Sequence, residues 1–180
     1  MRKYAFVAAA LAAVAFAAPA RAQTGLPIAI EGRAGLAFPT GDFGEALGTG
    51  YGLAANASFA VAPTIALYGG YSYTQFDYDS DVIDTDRTFN VQGFEGGARL
   101  ALPMTGFTPY IKGGVVYFKG GVSDGVDSDN ELGFTGGIGL NYALGPVVAF
   151  TPEVTYVTVP AEAGPDASFI RTDVGLRFRL

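Results

Sequence analysis

The sequence predicts an all-β chain, folded as an antiparallel up-and-down barrel of eight strands, and three observations carry that prediction. Larger apolar residues alternate with small or polar ones in segment after segment, the period-two signature of strands. The connections between segments alternate between short and long. Charge is missing from one of the two faces that the alternation defines. The composition agrees, with 26 glycines, 14 phenylalanines and 10 tyrosines in 180 residues.

Composition also excludes functions. The chain has no histidine, which removes a Ser-His-Asp triad and most zinc sites. It has no cysteine, which removes thiol nucleophiles, iron–sulfur clusters and disulfides. A formal charge of -6 argues against nucleic acid as a partner, because that binding draws on clustered Lys and Arg.

Residues 1–22 read as a cleaved signal peptide. Arg2 and Lys3 precede an uncharged apolar run over 5–18, and Ala20-Arg21-Ala22 supplies the small-x-small cleavage site. A bilayer-spanning helix needs roughly 20 apolar residues, more than this run offers. The domain proper is 23–180. With Arg2, Lys3 and Arg21 gone, 8 basic residues face 17 acidic ones.

The eight segments follow in order. In 28–38, Ile28, Ile30, Leu36 and Phe38 share one face, and Glu31 and Arg33 the other. In 51–61, Tyr51, Leu53, Phe59 and Val61 oppose Gly52, Asn56 and Ser58. In 65–76, Leu67, Tyr71 and Tyr73 oppose Tyr68, Ser72 and Thr74. In 87–102, Phe94, Ala98 and Leu100 oppose Glu95 and Arg99. Phe89 and Val91 have the wrong parity there, which predicts a bulge near Gln92 and Gly93.

In 109–119, Ile111, Val115 and Tyr117 oppose Tyr110, Lys112 and Val116. In 132–142, Leu132, Phe134, Ile138, Leu140 and Tyr142 oppose Thr135 and Asn141. In 147–159, Val148, Phe150, Val154 and Tyr156 oppose Glu153 and Thr155, and Pro152 predicts a local break or bulge. In 168–180, Ile170, Val174, Leu176, Phe178 and Leu180 oppose Arg171, Asp173, Arg177 and Arg179. Strands of about ten residues suit tilted passage across a hydrocarbon slab.

Alternation alone does not say which face points out, since a soluble calyx lines its cavity with the apolar face. The charges decide it. Of 17 acidic residues, 13 lie in the long connections, and Glu31, Glu95, Glu153 and Asp173 lie on the small and polar face. If the apolar face met water, a continuous belt of large hydrophobics would be exposed, beyond what soluble monomers tolerate. If the charged face met lipid, each mid-bilayer Arg or Lys would cost roughly 2–4 kcal/mol. The apolar face therefore meets lipid, and the fold is a transmembrane barrel.

Aromatics agree. Phe59, Tyr142, Phe150 and Phe178 sort to the short-turn ends, and Phe38, Tyr51, Tyr71, Tyr73, Tyr117, Phe134 and Tyr156 toward the long-loop ends. Two such belts match interfacial girdles.

An eight-stranded interior is just wide enough for side chains to fill. Charges in so narrow a space must be paired. The expected lumen network is Glu31, Arg33, Glu95, Arg99, Lys112 and Glu153, joined by Arg171, Asp173 and Arg177; a gated ion path through the same residues is the alternative. The acidic loops read first as solvated. A Ca²⁺ or Mg²⁺ site on Asp77, Asp79 and Asp81, or on Asp124, Asp127 and Asp129, is the sharper reading. Val82 and Thr88 stand where a calcium loop needs Gly and Glu. A weaker form has divalent ions bridge these loops to the phosphates of surrounding lipopolysaccharide.

Three stretches carry a family resemblance. Asp173-Val174-Gly175-Leu176-Arg177-Phe178-Arg179-Leu180 resembles the terminal strand by which barrel assembly machinery recognises its clients. Asp173, Gly175 and Phe178 fit the pattern polar-x-Gly-x-x-aromatic-x-aromatic, and Leu180 stands where the family usually ends in Phe. With Pro39-Thr40-Gly41-Asp42-Phe43-Gly44 and Gly93-Phe94-Glu95-Gly96-Gly97-Ala98-Arg99, the chain over 23–180 resembles the small porin-like barrels. These are the transmembrane domain of outer-membrane protein A and the opacity and virulence-related surface proteins.

The resemblance implies a Gram-negative outer-membrane location, lipid and lipopolysaccharide as neighbours, no cofactor, and a structural or surface-interaction role with host or surface ligands at the loops. A narrow solute channel is the alternative. A barrel enzyme is a third, weaker class, because known ones generally depend on histidine. In detergent, unheated protein is expected to run at a different apparent size from boiled protein on a gel; identical mobility would contradict a closed barrel.

Overall fold

The computed structural model describes residues 27–78, 88–102, 104–122, 130–160 and 166–180. The expected signal peptide lies outside them. Nine strand pieces form one antiparallel sheet: β1 (Ile28–Pro39), β2 (Gly50–Ala62), β3 (Ile65–Asp77), β4 (Thr88–Ala101), β5 (Phe107–Val122), β6 (Asn130–Ala143), β7 (Val148–Phe150), β8 (Glu153–Val159) and β9 (Ala167–Arg179). Neighbours in sequence pair in order, save that β7 and β8 each lie between β6 and β9, and β9 pairs back onto β1, so the sheet closes. Closure removes the unpaired edge, which a hydrocarbon environment does not tolerate.

β7 and β8 are two halves of one strand, so the barrel has eight staves. Both halves pair with β6 and with β9 in unbroken register: Phe150 faces Tyr142 and Leu176, and Glu153 faces Gly139 and Asp173. Pro152 therefore breaks the ladder without a bulge. Its carbonyl still accepts from the Leu140 amide at 3.0 Å, but it has no N–H to return.

Pairing followed from Ala29 through Ser58, Tyr68, Gly97, Gly114, Thr135, Val157 and Phe169 returns to β1 at Pro39. That ten-residue stagger is the shear that tilts the strands and sets the bore. At the tightest crossings the wall uses glycine. A Cβ on Gly97 or Gly114 would run into the facing strand's backbone.

The outward face carries the apolar belt. Phe94 is 65% and Ile138 63% exposed, and Leu53, Val174, Phe134 and Tyr142 are exposed likewise. Among the described strands, outward positions carry charge at Asp77 and Lys119, both at long-loop ends. No described helix is long and apolar enough to cross a membrane; this chain crosses with strands.

The expected bulge near Gln92 and Gly93 is absent. Register runs unbroken past both residues on both sides of β4. Phe89 and Val91 instead point inward, into an apolar core that fills the long-loop end of the lumen. Its members include Phe76, Val91, Val116, Phe118, Val157 and Phe169. The connection after β1 contributes too: a short helix, α1 (Asp42–Ala46), drops Phe43 between Phe76 and Phe89 at 5.5 Å from each ring. Phe76 in turn meets Phe169 edge-on at 5.3 Å. The parity change is thus a change of filling, with no change of pairing.

This core generates a prediction. Phe169→Ala should destabilise the barrel by about 3–5 kcal/mol in urea unfolding from micelles. Leu132→Ala, on the lipid face, should lose much less. Equal losses would mean that the inward residues form no packed core.

Candidate functional site

The polar half of the zigzag converges below this apolar core. Glu31 and Arg33 come from β1, Glu95 and Arg99 from β4, Lys112 from β5, Glu153 from β8, and Arg171, Asp173 and Arg177 from β9. All sit at inward parity, and all but Arg177, which is half-buried, are buried. Strand alternation puts them in the bore, and the closure of β9 on β1 brings distant sequence together.

Arg33 is the hub. Its Nη2 donates to Glu95 Oε1 at 2.9 Å, its Nε lies 3.4 Å from Glu31, and its Nη1 pairs with Glu153. Arg99 forks onto both oxygens of Glu31, at 3.0 and 3.2 Å. Bidentate pairing of this kind fixes orientation as well as charge. Lys112 Nζ lies 2.7 Å from Glu153 Oε1. Arg177 joins Glu31 at 3.3 Å, and Arg171 Nε donates to Asp173 at 2.7 Å.

Neutral side chains add donors to the carboxylates, although Glu95 Oε2 stays buried without one. Tyr110 Oη and Thr155 Oγ1 each donate to Glu153 at 2.8 Å, and Asn56 Nδ2 donates to Glu95 at 2.9 Å. The Arg99 guanidinium lies 4.0 Å above the Tyr110 ring, a cation–π contact. Gly139 makes room for it, since a Cβ there would strike the Tyr110 phenol. A buried charge is tolerable only with such partners, because desolvation costs several kcal/mol per ion.

The other sequence-named positions fall elsewhere. Asp77 is exposed at the end of β3, away from the network. Asp79, Asp81, Asp124, Asp127 and Asp129 lie outside the described residues. No group of acidic residues able to hold a metal occurs among the described residues. In the C-terminal stretch, Gly175 packs against Gly32 and Arg33, while Phe178 and Leu180 face outward at the short-turn rim.

The model of the outer membrane protein beta-barrel domain matches residues 6–178. The chain belongs to that family.

Solved outer membrane barrels agree in fold. Neisserial surface protein A superposes with a TM-score of 0.67 at 15% identity, covering 86% of this chain and 97% of that one. The N-terminal β-barrel domain of Pseudomonas aeruginosa OprF gives 0.58 at 13% identity, covering 87% and 100%. Ail, the attachment invasion locus protein of Yersinia pestis, gives 0.57 at 14% identity, again covering 87% and 100%. Comparison with curated proteins found no match.

Within this outer membrane barrel, the sequence pointed to the charged members of the network but not to their neutral partners. Tyr110, Asn56 and Thr155 share the inward parity, and that parity was the available signal. The apolar core above the network also went unread, although Val116, Phe118, Val157 and Phe169 repeat the parity shift of Phe89 and Val91 on other strands.

Charge balance in the bore should be measurable. Glu153→Gln leaves Arg33 and Lys112 short of a counter-charge and should destabilise the folded barrel by about 3–5 kcal/mol. Adding Lys112→Met restores the balance and should recover part of that loss. A double variant less stable than the single one would contradict a balanced network.

Proposed function

We propose that this outer membrane barrel is non-conducting, and that it serves the envelope structurally while presenting its long acidic loops for surface interactions. The observation that carries the reading is the filling of the bore. Nine charged side chains interlock across it, and the Phe76, Phe118 and Phe169 core lies above them. An ion would have to displace paired charges, at several kcal/mol each, and then cross a packed apolar layer.

Orientation follows the habit of such barrels, with short turns in the periplasm and long loops outside. In this reading the leader over 1–22 directs export through the secretory pathway. The assembly machinery reads the terminal strand through Asp173, Gly175, Phe178 and Leu180. Lipid and lipopolysaccharide surround the belt. Divalent cations are the simplest ligands for the carboxylates of the long connections in this reading. The chain has no histidine, and the reading assigns it a binding and structural role without catalysis.

Single-channel recording in planar bilayers tests the reading. The wild-type barrel should give no stable conductance steps. Large, long-lived steps would overturn it and favour a narrow channel for small solutes or ions.

A further inference from the structure

The charges in the bore are not evenly distributed along its axis. In the middle, Arg33, Lys112 and Arg171 are matched by Glu95, Glu153 and Asp173. Toward the short-turn rim, Arg99 and Arg177 both lean on Glu31, Arg99 reaching Glu153 as well at 3.6 Å, and Arg179 lies exposed at the mouth. Side chains at this end therefore carry two positive charges beyond their carboxylate, in a chain that is acidic as a whole.

The same end is hollow. A cavity of about 210 Å³ opens there, walled by inward-facing alanines such as Ala60, Ala66 and Ala149, with Arg99, Arg177 and Arg179 among its lining. That is well above the minimum of about 10–15 Å³ that admits one water, and it leaves room for a multi-atom ion. Asn141 also lines it. Its Nδ2 donates to the Thr108 carbonyl at 3.4 Å, which ties the side chain to the wall. Arginine forks match planar and tetrahedral oxyanions.

We infer that this vestibule is an anion site for a phosphate group, held by Arg177 and Arg179 with Arg99 behind them. The site stands apart from the non-conducting reading, since a blocked bore still has a mouth. Two sources share this chemistry: free phosphate or a soluble phosphate ester, and the headgroup of a phospholipid at the rim. The alanine walls turn into the bore, away from the acyl chains.

The test is equilibrium dialysis of radiolabelled orthophosphate against the full chain, folded in a non-ionic, phosphate-free detergent at low ionic strength. One saturable site is expected. Arg179→Gln, which touches no member of the buried network, should weaken binding roughly tenfold or more, the effect of one lost charge-assisted hydrogen bond. Sulfate, a tetrahedral oxyanion of similar size, should compete for the same site. Nanodiscs containing anionic phospholipid separate the sources. Orthophosphate binding retained there identifies the soluble ion, and binding lost there but kept in uncharged nanodiscs identifies the headgroup. No saturable binding, or binding unchanged in both Arg179→Gln and Arg177→Gln with the gel-mobility shift intact, would overturn the inference.

Discussion

Everything in this molecule follows from one constraint: a sheet with lipid outside must keep its charges inside. Hydrocarbon offers no hydrogen bonds, so the strand ladder closes on itself through β1 and β9. Closure then creates a bore too narrow for free solvent, and each ionic side chain turned into it must find its counter-charge there. Arg33, reaching Glu31, Glu95 and Glu153 at once, is that requirement in one residue. The outward belt and the inward ion network are two consequences of the same alternation.

The bore is built in layers with different chemistry. An apolar core closes the long-loop end, a balanced ionic layer fills the middle, and a roomy cationic mouth faces the short turns. The layers work together. Aromatic packing above shields the ion pairs from water, which strengthens them. Alanines below give up filling and leave a site, which is why the mouth and not the middle is where a small ligand fits.

Much of this was legible in the sequence, because period-two alternation is a direct consequence of the pleat. The eight segments match the eight staves to within about two residues at most ends, and Glu31, Arg33, Glu95, Arg99, Lys112 and Glu153 could be placed in the bore from parity alone. What misled was a rule applied too uniformly. If the bore is taken as polar throughout, Phe89 and Val91 demand a bulge; the register shows they simply mark where the filling turns apolar. Phe43 was hidden for another reason, since a short helix inside a long connection has no periodicity to read. Tyr110 was assigned its face but not its task, because a hydrogen bond to Glu153 across 43 positions of sequence depends on closure geometry.

The absence of cysteine makes the central claim directly testable, since a single introduced thiol is a unique labelling site. Fluorophores attached to Ile138→Cys and Val174→Cys, in bilayers containing brominated acyl chains, should be strongly quenched. The same fluorophore on Ala60→Cys and Ala149→Cys should be spared by the lipid and quenched by aqueous iodide. The reverse pattern, with the alanine positions quenched by lipid and Ile138 open to iodide, would contradict the account at its root.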